Sequence, residues 1–151
     1  PDTGNRPNLA VVLQDQWSTA GINLEVVVEP ESVYYGENQW LEVDLGITGW
    51  GSRPYPQFYL EVMLLCEGQW NEAHYCNDEL DDLIRRAGTT MDEQEQVQVY
   101  REIQQILIDD GPMIIPYFFS QLGAINSQFE GFEMNPFPGR SDLTGVRRTG
   151  D

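Results

Sequence analysis

Between Thr90 and Pro112 the chain carries one long amphipathic segment with both ends marked, and any fold it adopts has to bury that segment's apolar face. Val97, Tyr100, Ile103, Ile106 and Leu107 recur at helical spacing, while Glu95, Gln98, Glu102, Gln105 and Asp109 lie mostly opposite. Thr90 with Glu93 has the form of a capping box, and Gly111 followed by Pro112 supplies a left-handed cap and a stop. The apolar run Met113 to Phe119 then reads as a buried strand.

Upstream, helical and alternating periods take turns. Leu9, Val12, Leu13 and Trp17 share a helical face, and Ala20-Gly21 closes it. Ile22 to Val28 reads as a strand stopped by Pro30, Ser32 as the N-cap of a short helix through Trp40, and Val43, Leu45 and Ile47 as a second strand. Strand, crossover helix and strand predict a right-handed βαβ unit from Ile22 to Ile47, the Met113 to Tyr117 strand joining its sheet. Phe58, Val62, Leu65 and Cys66 define a further helix, and Leu80, Leu83, Ile84 and Ala87 another, separated by a polar and aromatic loop over Asn71 to Asn77. The fold class expected is therefore α/β. The acidic pairs Asp81/Asp82 and Asp109/Asp110 point about 100° apart on their helices and read as solvated rather than catalytic.

The turn Gly49-Trp50-Gly51-Ser52-Arg53-Pro54 would lie at the carboxyl end of the second strand, where open α/β sheets place ligands. Its glycines let the backbone approach another molecule, and Trp50 either contacts that molecule or lies over the next helix as a lid on the core.

Charge narrows the partners. With 25 acidic residues against 8 basic ones the net charge is -17, and the only adjacent basic pairs are Arg85/Arg86 and Arg147/Arg148, so nucleic acid is not an expected partner. No apolar run approaches the ~20 residues of a membrane helix. Pro1 to Pro7 runs straight into a helix, as a chain cut between elements would. Cys66 and Cys76 bracket a short loop; they could be free thiols, a disulfide in an exported protein, or zinc ligands with His74. One histidine and no nucleophile motif argue for binding rather than catalysis, with no cofactor and no metal, and His74 reads as a hydrogen-bonded loop residue.

The order of these motifs resembles the carboxyl-terminal part of the family 5 extracellular solute-binding proteins, the peptide, dipeptide and nickel receptors of bacterial ABC importers. The resemblance runs through Ala20-Gly21-Ile22, Gly49-Trp50, Asn71 to Tyr75, Asn77, Asp81 and Tyr100-Arg101-Glu102-Ile103-Gln104. It continues in Asp110-Gly111-Pro112-Met113-Ile114-Ile115-Pro116 and ends at Phe129-Glu130-Gly131-Phe132.

That resemblance implies a two-lobed type II periplasmic binding protein, with residues 1–128 as the carboxyl-terminal lobe and 129–151 as a tail returning to an absent amino-terminal lobe. It implies a periplasmic or extracellular location, with a lipid anchor as one means of attachment, and ABC permease partners. The ligand would be an oligopeptide or related small polar solute, lined by Trp50, Gly51, Ser52, Arg53 and Phe119. Receptors of this family usually carry an acidic residue shortly after Gly-Trp to pair with the ligand's ammonium group. Here those positions hold Gly51, Ser52, Arg53 and Pro54, and an arginine favours an anion or a neutral polar ligand. A Cys66–Cys76 disulfide is expected if the protein is exported. The rival reading is a free-standing acidic α/β module that binds another protein.

Overall fold

The computed structural model describes residues 1–120, 122–135, 137 and 139–150. Asp151, the last residue of the expected tail, lies outside the described residues. Five helical elements precede a short hairpin: α1 (Arg6–Ser18), α2 (Glu31–Tyr34), α3 (Gln57–Tyr59), α4 (Asp78–Thr89) and α5 (Glu93–Asp110). A 3-10 turn, Gly36–Leu41, follows α2, and a π-helical turn, Leu60–Leu64, continues α3.

The core lies where the α3 segment, α4 and α5 meet. Leu60 and Leu64 from the first, Leu80, Ile84 and Ala87 from α4, and Val99 and Ile103 from α5 are buried together, with Tyr75, Tyr100, Ile106 and Leu107 packed around them. The apolar face of α5 is thus set by Val99 and Ile103, and Val97, expected inside, is exposed. Its N-cap also differs from the expected Thr90. Asp92 accepts from the Glu95 N–H at 2.8 Å, while the Thr90 hydroxyl turns back to the Arg86 carbonyl at 2.8 Å and closes α4. Gly111 does end α5 in the left-handed conformation, φ 59° and ψ 44°, its N–H returning to Leu107. Asn77 caps α4, accepting from the N–H groups of Glu79 and Leu80. The short helix expected from Ser32 to Trp40 divides into α2, entered through Pro30, and the 3-10 turn.

The βαβ unit is not formed. Residues 22–28, 43–47 and 113–119 carry no ladder, and the sheet among the described residues is one antiparallel pair, β1 (Phe129–Glu130) with β2 (Arg147–Arg148). The molecule is mixed helical with few strands. A parallel strand persists only with neighbours at its edges and cover on both faces, and here Val27, Leu45, Ile114 and Phe118 all face solvent. In place of ladder bonds, residues 22–28 are tied to α1 through the Gln14 amide, which donates to the Leu24 carbonyl at 2.7 Å. Among the described residues of the expected tail, β1 pairs with β2, braced by an Arg147–Glu130 ion pair at 2.9 Å. Among the described residues, no helix is long and apolar enough to cross a membrane.

Candidate functional site

The loop between α3 and α4 is built around one buried amide. Asn71 donates to the carbonyls of Leu65 at 3.2 Å and Tyr75 at 2.7 Å and accepts from the Tyr75 N–H at 3.2 Å, fixing the loop as a closed turn. Gly68 is required beside it, because a Cβ there would stand 2.8 Å from the Val62 carbonyl oxygen. Cys66 and Cys76 are joined by a disulfide across the loop, with their Cα atoms 4.4 Å apart. Asp78 stands beside them, but sulfurs bonded to each other are not thiolate ligands. His74 reaches the Leu41 carbonyl through Nε2 at 2.6 Å, as a loop tie.

This framework presents Trp70 and Glu72 to the turn that follows Thr48. Trp50 donates its indole Nε1–H to Glu72 Oε1 at 3.0 Å, and the Thr48 hydroxyl donates to Glu72 Oε2. The Thr48 proton being spent there, the Tyr34 hydroxyl, 3.3 Å from Thr48 Oγ1, completes the relay as donor. Burial pushes the Glu72 carboxyl above its ordinary value, against the two hydrogen bonds that favour its charge. Burial likewise raises the Tyr34 phenol.

Around the carboxylate stands an aromatic cluster. The Trp50 ring meets Tyr59 at 5.9 Å and Trp70 at 5.7 Å, and Phe58 joins Tyr59 at 5.6 Å and Trp70 at 6.1 Å. All four rings are half-buried. Trp50 is therefore neither a free aromatic nor a core residue: it is one member of a half-buried wall of rings.

The other expected site residues are placed as follows. The Gly51 carbonyl is occupied, accepting from the Tyr59 hydroxyl at 2.5 Å and from Arg53 at 3.3 Å. Arg53 also donates to the Ser52 carbonyl at 3.1 Å and lays its guanidinium over the Phe58 ring at 5.0 Å. Phe119 is exposed and stacks edge-on with Tyr117, 5.1 Å away, not with the cluster. The structure thus brings Trp50, Gly51 and Arg53 together and adds Thr48, Tyr59, Trp70 and Glu72, to which the sequence reading assigns no role. Asp81 also departs from expectation. It is buried, accepting from the Cys66 N–H at 3.0 Å and from Arg85 at 3.1 Å. Two open cavities, about 360 and 250 Å³, lie beside the disulfide and beside His74 rather than at the ring wall.

No family model matches the chain. It is similar to a peptide transport periplasmic protein, SapA, of Salmonella typhimurium, 27% identical over 139 residues, which cover 88% of this chain and 25% of SapA. It is also similar to a dipeptide-binding protein of Escherichia coli, 22% identical over 90% of this chain and 26% of the relative. A di/tripeptide-binding protein of Pseudomonas aeruginosa is 26% identical over 95% of this chain and 28% of the relative. The chain spans about a quarter of the length of the curated relatives it matches.

Proposed function

We propose that this chain, whose resemblance to the family 5 extracellular solute-binding proteins these relatives bear out, forms one wall of the ligand cleft in the substrate-binding component of an ABC importer. The observation that carries the reading is the half-exposed wall of Trp50, Tyr59 and Trp70 around Glu72, in a chain that aligns over most of its length with peptide-binding proteins. Aromatic faces with a few fixed polar groups are what a peptide site offers. The ligand is an oligopeptide or related polar solute, with Trp50, Gly51, Ser52 and Arg53 at the cleft edge and Phe119 toward the opposite wall.

The finer architecture follows from the same reading. Residues 1–128 are the carboxyl-terminal lobe of a type II binding protein, 129–151 return to the amino-terminal lobe, and the protein works in the periplasm or outside the cell, held by a lipid anchor or by its permease. The exposed apolar side chains along residues 114–125, with Phe118 at 87% and Leu122 at 92%, favour a lobe covered by further chain over a free-standing module. Residues 22–28, 43–47 and 113–119 pair as strands once that cover is present. As a binding component the protein has no catalytic task.

The test is titration calorimetry of the full-length receptor with a pool of di- to pentapeptides. Saturable binding in the micromolar range or tighter is expected. No binding of any peptide in the pool overturns the proposal.

A further inference from the structure

The turn that carries Trp50 is tied down through side chains. Among the described residues, no backbone–backbone hydrogen bond involves residues 48–55. Its fixed points are the Thr48 hydroxyl and the Trp50 indole N–H, both on Glu72, and the Gly51 carbonyl, which accepts from Tyr59 and Arg53. The other side of this junction is braced. Glu72 stands in the loop that the Asn71 amide and the Cys66–Cys76 disulfide close, and its own N–H returns to the Trp70 carbonyl at 2.9 Å. A lightly tied turn thus leans, through one carboxylate, on a cross-braced loop.

Resting on the peptide-receptor reading, we propose that Glu72 is a positioning residue: it fixes the Trp50 ring in the attitude that meets the ligand, and acts on binding through that ring. Its two oxygens take donors from either side of Gly49, so the carboxylate spans the turn and sets both the path of the backbone and the rotation of the indole. Edge-on contact with Tyr59 or Trp70 tolerates some rotation of the ring, whereas the indole N–H has one direction and needs an acceptor at its end. The acceptor matters more than the charge. With glutamine at this position, the amide oxygen can take the Trp50 N–H while the amide NH2 donates to Thr48, whose hydroxyl then turns toward Tyr34, 3.3 Å away. Leucine offers no acceptor to either donor. A ring ordered before the ligand arrives does not have to be ordered on binding, and affinity gains by that difference.

The test is a double-mutant cycle in the full-length protein, read as apparent affinity for the di- to pentapeptide pool. Glu72→Leu is expected to weaken binding about three- to tenfold, and the conservative Glu72→Gln to recover all but about twofold of that loss. In a Trp50→Phe background, where the indole N–H is gone, Glu72→Leu should add nothing further. The Trp50 indole N–H resonance, identified by its absence from Trp50→Phe, should move toward that of a solvated indole in Glu72→Leu and much less in Glu72→Gln. A loss of the same size in the Trp50→Phe background overturns the assignment, because Glu72 would then act independently of the indole. So does a Glu72→Gln as weak as Glu72→Leu, which would make the charge the working feature, or a Glu72→Leu of unchanged affinity. In each of these cases the peptide-receptor reading stands; if the unaltered protein binds no peptide of the pool, both fall. Should Glu72→Leu not fold, NMR relaxation of the unaltered protein without peptide decides. The Trp50 indole N–H should be as ordered on the nanosecond timescale as the backbone of α5, and a mobile indole overturns the assignment.

Discussion

The backbone N–H of Cys66 donates to the Oδ1 atom of Asp81 at 3.0 Å, so a carboxylate on α4 holds the first residue of the disulfide loop against the helix that follows it. Asp81 is buried, and its second oxygen takes the Arg85 guanidinium, which is itself exposed and adds little. Truncating Asp81 to alanine leaves the Cys66 N–H without an acceptor, at a cost of about 1 to 3 kcal/mol. Asp81→Asn retains an acceptor oxygen and should cost less. Urea unfolding of both variants checks the order; equal stabilities would show that the bond is not formed.

The disulfide acts on the same loop through the unfolded chain. Its half-cystines are 10 residues apart, and closing a loop of that order removes about 3 kcal/mol of unfolded-state entropy. A Cys66→Ser/Cys76→Ser double variant should melt at a lower temperature. Thiol titration of the unaltered protein under denaturing, non-reducing conditions should find the pair oxidised, and two free thiols in protein from its native compartment would count against the bridge.

Helices were legible because their signals are local. Asn77 before α4 and Gly111 after α5 act on groups within a few residues of themselves. The misplaced cap has the same origin: Thr90 and Asp92 both have capping side chains, and only the return of the Thr90 hydroxyl to Arg86 assigns it to α4. Strands were not legible to the same degree. A run such as residues 22–28 has the alternation of a strand, but pairing is a relation with another segment and with cover that this chain does not supply. Glu72 was missed for a similar reason. Its sequence neighbours mark a polar aromatic loop, whereas its role comes from Thr48 and Trp50, more than 20 residues earlier.

Glu72 also predicts a pH dependence of stability. Its folded pKa lies above the ordinary 4.5, so the folded state binds the proton more tightly than the unfolded one. Its contribution to stability is therefore fully present below that ordinary value and is lost as pH rises through the folded pKa. Glutamine at this position does not titrate. The melting temperature of Glu72→Gln relative to the unaltered protein should accordingly rise with pH across this window and level off above it, as calorimetric scans from pH 4 to 8 would show. A difference that shrinks with rising pH would mean that the carboxylate is stabilised, not strained, by its surroundings.

Trp50 separates the binding reading from a purely structural one. Its ring is half-buried against Tyr59 and Trp70, and its indole N–H is bonded to Glu72, so Trp50→Ala removes two ring contacts and one hydrogen bond. Edge-to-face pairs contribute about 0.5 to 1.5 kcal/mol each and the hydrogen bond about 1. Together these come to about 2 to 4 kcal/mol, and since solvent already reaches part of the ring the loss should lie near the lower end, about 2 kcal/mol, below the ~3 to 5 expected for truncating a core tryptophan. Affinity should fall further in proportion. If Trp50 lines the cleft as proposed, loss of that aromatic contact costs on the order of 1.4 kcal/mol or more, tenfold in Kd. Trp50→Phe divides the two contributions, since it keeps a ring against Tyr59 and Trp70 while removing the donor to Glu72. It should recover most of the stability but leave the Glu72 carboxylate with one donor fewer. Thermal melting of both variants and their titration with the di- to pentapeptide pool make the comparison. A fall in melting temperature with unchanged affinity in Trp50→Ala would assign the tryptophan to packing alone and remove it from the cleft.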